Sequence, residues 1–216
     1  MLGIGVSIMM TSSCKLLEPI NMSFDLTNKT YQTHFQTKKD SQSVQINNKY
    51  ALIVNTDADW RYTERALFAK ESLQKAGFLE EQIYSLPKKG SDKKGYTSLD
   101  EYINAIDNLS EKVTKDDLLF VFFCGHNYGT RTSKANVLFT DSEGQDSLFT
   151  PEELYKSIFP KINPKVSISL FTMCFGEHFV SQFNKEQHIG ISSSKKNKYS
   201  FVRGSSIGFT NYFLKQ

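Results

Sequence analysis

The sequence predicts an α/β fold, a three-layer sandwich whose mostly parallel central sheet lies between helices. Two apolar runs and the order of the segments around them predict it. Residues 117–125 read DLLFVFFCG, and residues 166–174 read VSISLFTMC. The first is apolar on both faces, as a strand buried in the middle of a parallel sheet is, and the second reads as another central strand. Around them strand patterns alternate with helical ones, the order that builds a layered α/β domain.

The elements follow in sequence. Residues 50–55 (YALIVN) are a short apolar run before a polar turn and read as a buried strand. Residues 60–78 carry Ala66, Leu67, Ala69, Lys70, Leu73 and Ala76 near helical spacing, with Gly77 as a stop. Residues 82–86 read as a second strand. In 98–109, Ser98 is a candidate N-cap with Glu101 three residues on, and Leu99, Tyr102, Ile103 and Ile106 share a face. Residues 136–141 suit a short hairpin strand. In 150–158, Thr150 is the N-cap and Pro151 the first helical residue. A strand at 188–194 and a terminal helix at 208–216 complete a folded domain expected over 50–216.

Two segments precede it. Residues 1–14 (MLGIGVSIMMTSSC) are apolar, then small and polar up to Cys14, too short to span a bilayer as a helix. They resemble the end of a bacterial lipoprotein signal peptide, which implies a lipidated Cys14, membrane contact through that anchor alone and a place in the cell envelope. A plain secretory signal or an apolar tail is the other reading. Residues 15–49 are rich in Asn, Gln, Thr, Ser and Lys without period, and read as a polar tether; His34 within them has no patterned partner. The net charge of +3 makes no case for a nucleic-acid partner, and the cluster KKGSDKKG at 88–95 reads as a solvated loop. No glycine-rich phosphate loop is present.

The chemistry sits where the two central strands end. In a parallel sheet, functional groups gather at the carboxyl ends of the strands. His126 follows the first run and Cys174 ends the second. The gap of 48 residues leaves room for a crossover helix at 150–158. A cysteine attacks as its thiolate. A histidine at the same edge can take the thiol proton and later give it to a leaving amine. Glycines beside both residues would let backbone N–H groups approach a substrate carbonyl. His126 and Cys174 are therefore a candidate acyl-transfer dyad. Other readings compete with it. Cys124 and Cys174 could be small core residues, Cys124 especially. They could form a disulfide in an oxidising compartment. Cys124, His126, Cys174 and His178 could hold zinc, although the Cys-x-His spacing is awkward. His178 is better placed on a short helix after Cys174. No cofactor or metal is expected.

The pair FVFFCGHNYG and SISLFTMCFGEHF resembles the caspase-like cysteine peptidases, the legumain-type branch most closely. The resemblance spans about residues 50–216. It implies a peptidase or transpeptidase acting on a peptide or protein substrate, with Cys174 as nucleophile and His126 as acid/base. It also implies an oxyanion site of backbone N–H groups from Cys174 and from a residue near His126, where Gly125 and Asn127 lie. In such enzymes an arginine after the first strand lines the specificity pocket. That implies Arg61 for an Asn or Asp side chain of the substrate, with Ser192 and Ser193 lining the same pocket. Asp57 and Asp59 could equally attract a basic one. The chain departs from the family at Asn127, where glycine is usual, at Thr172, where Asp or Glu is common, and at Gly176. These departures leave open a second class of function, a caspase-like scaffold that binds peptides or a partner without cleaving them.

Overall fold

The computed structural model describes residues 4–7, 21–24, 31–34, 43–87, 95–128, 135–185 and 187–194. The chain forms two compact units, one built on Met1–Asn47 and one on Asn48–Lys215.

The first unit holds four short strands, β1 (Ile4–Ser7), β2 (Asn21–Phe24), β3 (Tyr31–His34) and β4 (Ser43–Ile46). They form an antiparallel sheet in chain order. Three of these strands fall within the segment read as a polar tether. Each spans four residues and mixes one or two apolar side chains with polar ones, too little for period-2 alternation to stand out. Cys14 lies outside the described residues, as does the expected helix at 208–216. No helix among the described residues is long and apolar enough to cross a membrane.

The second unit begins with β5 (Lys49–Asn55) and α1 (Trp60–Lys75), followed by β6 (Ile83–Leu86) and α2 (Leu99–Ser110). Next come β7 (Leu118–Cys124), β8 (Asn127–Tyr128), β9 (Asn136–Thr140) and β10 (Asp146–Phe149). The described part ends with α3 (Pro151–Ile158), β11 (Val166–Thr172), α4 (Glu177–Phe183) and β12 (His188–Ser192). The central sheet has the order β12-β11-β7-β5-β6, and every pairing in it is parallel. This is the predicted α/β sandwich. The hairpin strand expected at 136–141 is β9, and it sits between β8 and β10 in a small antiparallel sheet. Strand β10, DSLF, half-exposed and only four residues long, carried no signal in the sequence.

Local chemistry sets the helices. Ser98 accepts from Glu101 N while the Glu101 carboxylate accepts from Ser98 N, the reciprocal box expected from the sequence. Thr150 and Glu153 repeat it ahead of Pro151. Each cap stabilises its helix by about 1 kcal/mol. Gly77, at φ 83°, ends the first helix as predicted. The buried faces differ in detail. Helix α1 buries Tyr62, Arg65, Ala66, Ala69 and Leu73 and leaves Leu67 exposed; α2 buries Ala105 and Leu109 and leaves Ile103 exposed. Periodicity places an apolar stripe but not its rotation on the sheet.

Strand β7 is the axis of the core, with all seven residues buried. Leu119, Val121 and Phe123 face a cluster shared with α2, α3 and α4, in which Phe123 stacks on Phe171 and Tyr102 on Phe139. Alternate residues face α1 and the turn that follows it: Phe120 meets Phe78 edge-on in that turn, and Cys124 Sγ lies 3.5 Å from the Tyr62 carbonyl in α1. Continuing that alternation two residues past Cys124 points His126 to the α1 side. At the opposite end of β7, the buried Asp117 carboxylate accepts four hydrogen bonds, from Asn48 N and Nδ2 and from Thr114 N and Oγ1. Asp117→Asn turns an amide toward donors, and is expected to cost about 2 kcal/mol in denaturant unfolding.

The chain also carries an acid-sensitive contact remote from the β7 tip. His188 Nδ1 lies 2.6 Å from Ser167 Oγ, and its ring packs on Phe159. Burial, and then Lys185, push this imidazole below the ordinary histidine value of 6.5. Above that value both the folded and unfolded chains are neutral here. As pH falls below it, the unfolded chain binds the proton first, so stability falls. The decline in melting temperature between pH 7 and 5 should be shallower in His188→Gln than in the native chain.

Candidate active site

The sheet register assembles the site. Asn55, Cys124 and Thr172 are paired side by side across β5, β7 and β11. Two residues beyond each lie Asp57, His126 and Cys174. The two residues of the predicted dyad thus leave the same edge of the sheet from adjacent strands. Asp57 leaves it from the strand on the other side of His126.

Each of these exits is built from the sequence. Gly125 has φ 140°, and a Cβ on it would lie 2.2 Å from Thr56 Oγ1. Glycine lets the chain pass the end of β5, where Thr56 N donates to Cys124 O at 2.9 Å, and present His126 beyond it. His126 is half-exposed. Its Nδ1 lies 3.4 Å from Tyr62 Oη, and the two rings meet edge-on at 5.2 Å. Its Nε2 lies 3.7 Å from Asp57 Oδ2.

Cys174 stands on a sharp strand-to-helix turn. Phe175 follows it at φ 53°, the left-handed region, and its side chain is buried in the core. A non-glycine residue there costs about 1–2 kcal/mol, and the buried ring holds it in place. The serines after β12 brace the turn. Gly176 N donates to Ser194 Oγ at 2.9 Å, Ser194 Oγ donates to Met173 O at 2.7 Å, and Glu177 N donates to Ser194 O. The Ser192 hydroxyl donates to Ser194 O and accepts from Ser194 N. Ser193 N donates to Phe171 O. The hydroxyl of Ser192, expected in a substrate pocket, is thus engaged with Ser194, which braces the turn that carries Cys174. Ser194, which carried no signal of its own, is the residue that reaches across to it.

Asn127 does not simply stand in for glycine. Its side-chain amide donates to Cys174 O and so ties the two strand tips together, while its Oδ1 is buried without a hydrogen-bond partner among the described residues. Arg61 is engaged within its own loop. Asp59, the N-cap of α1, accepts from Arg61 N at 3.0 Å and from Arg61 Nε at 2.9 Å. The side-chain hydrogen bond from Arg61 holds the Asp59 carboxyl down to about 2. The Arg61 charge is therefore compensated at the position expected to receive substrate.

Two α1 residues complete the surroundings, and the sequence reading singled out neither. Tyr62 is buried, and burial pushes its hydroxyl up to about 12, with Cys174 and Asp57 adding to the rise and Arg65 opposing it. Arg65 is buried, donates to Thr172 O at 3.3 Å and lies 5.3 Å from the Tyr62 ring. It joins α1 to the end of β11. Their i, i+3 spacing on the buried face of a helix that starts at the sheet edge was the available signal.

The competing readings can be placed as well. Cys124 is a buried free thiol, pushed up by desolvation, with its sulfur near the carbonyls of Val54 and Tyr62. Cys174 is partly exposed and, like Cys124, is not in a disulfide, so the bridge between them is not formed. His178 lies in α4, and no group of three or more His, Cys, Asp or Glu side chains among the described residues is arranged to hold a metal ion. Comparison with known proteins returns no matching family model and no matching curated relative.

Proposed function

We propose that the chain is a cysteine peptidase or transpeptidase of the caspase and legumain type, acting on a peptide or protein through His126 and Cys174. The observation that carries the reading is the β7–β11 register, in which Cys124 pairs with Thr172 and both strands run on two residues to the reactive pair. The thiol proton passes to His126, and the Cys174 sulfur attacks the scissile carbonyl. Backbone N–H groups at the two tips suit the resulting oxyanion. Collapse breaks the C–N bond, His126 protonates the amine, and a thioester remains. Water or a second amine then releases the acyl group, and the thiol is regenerated. Lipidation at Cys14 would place this activity at a bacterial cell envelope. No cofactor takes part in this scheme.

A non-cleaving scaffold is the second reading, favoured by the Asn127 amide bound to the Cys174 carbonyl. A positional peptide library assayed with the native chain and with Cys174→Ala separates the two. Cleavage that disappears in the variant supports the enzyme. Binding without cleavage by either protein supports the scaffold.

A further inference from the structure

We infer that Asp57 is the positioning carboxylate of His126, held by the β5–α1 loop so that one oxygen serves the loop and the other faces the imidazole. The inference rests on the reading of His126 and Cys174 as a dyad and adds a third member from a third strand.

His126 needs such a partner. It stands beyond the end of its strand with about half its side chain in solvent, so core packing alone does not fix its ring. Two groups from outside β7 address its nitrogens: Tyr62 Oη at Nδ1 and Asp57 Oδ2 at Nε2. Asp57 is itself fixed. Its Oδ1 accepts from Asp59 N at 2.8 Å, and its N–H donates to Asn55 Oδ1 at 3.2 Å. Asn55 is buried and donates to Gly95 O, which anchors the loop from below. This leaves Oδ2 directed at His126.

The charges around the ring single out Asp57. Asp59, in the same loop, is compensated by Arg61. Tyr62 from α1 is neutral at physiological pH, and Asn127 is uncharged. Arg65 is buried behind Tyr62. Beyond β11, Cys174 is the group with which His126 would exchange a proton. The ion-pair partner of Asp57 is His126, and the nearby Arg61 charge, which Asp57 also feels, is already held by Asp59. When His126 takes the thiol proton, the imidazolium therefore faces a carboxylate at one nitrogen and a thiolate on the Cys174 side. The carboxylate opposite Nε2 orients the half-exposed ring and meets the charge that arrives with the transferred proton.

The test follows the alkylation rate of Cys174 by iodoacetamide between pH 5 and 9, read by peptide mass mapping. It needs no knowledge of the substrate. Asp57→Asn keeps an oxygen for Asp59 N–H, so the loop and the melting temperature are expected to persist. Its Cys174 is expected to react about fivefold or more slowly than the native thiol at pH 6, and at the native rate near pH 9, where a thiol ionises unaided. Asp57→Ser, whose hydroxyl can also accept from the loop, is expected to show the same loss. His126→Ala serves as the comparator. If His126→Ala slows the reaction at pH 6 and both Asp57 variants follow the native profile, the role of Asp57 falls and the dyad stands. If all three variants follow the native profile, the dyad reading falls, and the inference with it.

Discussion

Replacing Cys174 by alanine, or His126 by alanine, is expected to lower peptide turnover about 10^3-fold or more while the melting temperature changes by less than about 2 °C. The two halves of this expectation have separate physical grounds. In the proposed mechanism turnover needs a sulfur nucleophile and a base that can both take and return its proton, and neither alanine supplies them. Groups that act as a unit are not additive, so the double variant should be about as active as the poorer single one. Stability is largely spared because neither side chain is buried within the core: His126 is half-exposed, and Cys174 is partly buried at the core's edge. Cys124 offers the internal control. Its thiol is buried and pushed up by desolvation, so Cys124→Ser should leave turnover nearly intact.

Gly125→Ala is expected to destabilise the fold by about 3 kcal/mol and to abolish turnover together with it. The added Cβ would lie 2.2 Å from Thr56 Oγ1 and 3.3 Å from the Thr56 backbone carbon, at a φ of 140° that L side chains rarely adopt. Thr56 cannot yield freely, because its N–H is bonded to Cys124 O. The double variant with Thr56→Gly separates the two sources of strain. Removing the threonine side chain should restore part of the stability, leaving the backbone term. Full restoration would mean that φ at position 125 carries no cost. A double-mutant cycle on urea unfolding measures the coupling directly.

The fold was legible in the sequence wherever one local rule decided. The capping box at Ser98–Glu101 involves residues three apart and formed as read, and the N-cap read at Thr150 formed too, with Glu153 completing a second box that had not been read. Strand β7 announced its central position by being apolar on both faces. That His126 and Cys174 leave one edge of the sheet was legible for a topological reason, since parallel neighbours bring their ends to one edge. What the sequence did not disclose depended on side-chain orientation, on contacts between distant segments or on elements too short to show a pattern. Arg61 and Asp59 are two residues apart, yet whether the guanidinium turns to its own N-cap or outward to a substrate is decided by the loop around them. Arg65, to which the helical spacing gave no role, is buried and donates to Thr172 O, 107 positions away. Asp57, read from the sequence only as a possible attractor of a basic substrate side chain, came beside His126 only once the register aligned Asn55 with Cys124. Strands β2 to β4 were hidden by their brevity.

The measurement that bears most directly on the central claim is the site of covalent capture by a peptidyl electrophile, mapped by mass spectrometry in the native chain and in His126→Ala. The account predicts an adduct on Cys174 in the native chain, and about tenfold or more slower capture at the same residue in the variant. An adduct on Cys124, or capture of Cys174 at the same rate without His126, would contradict it.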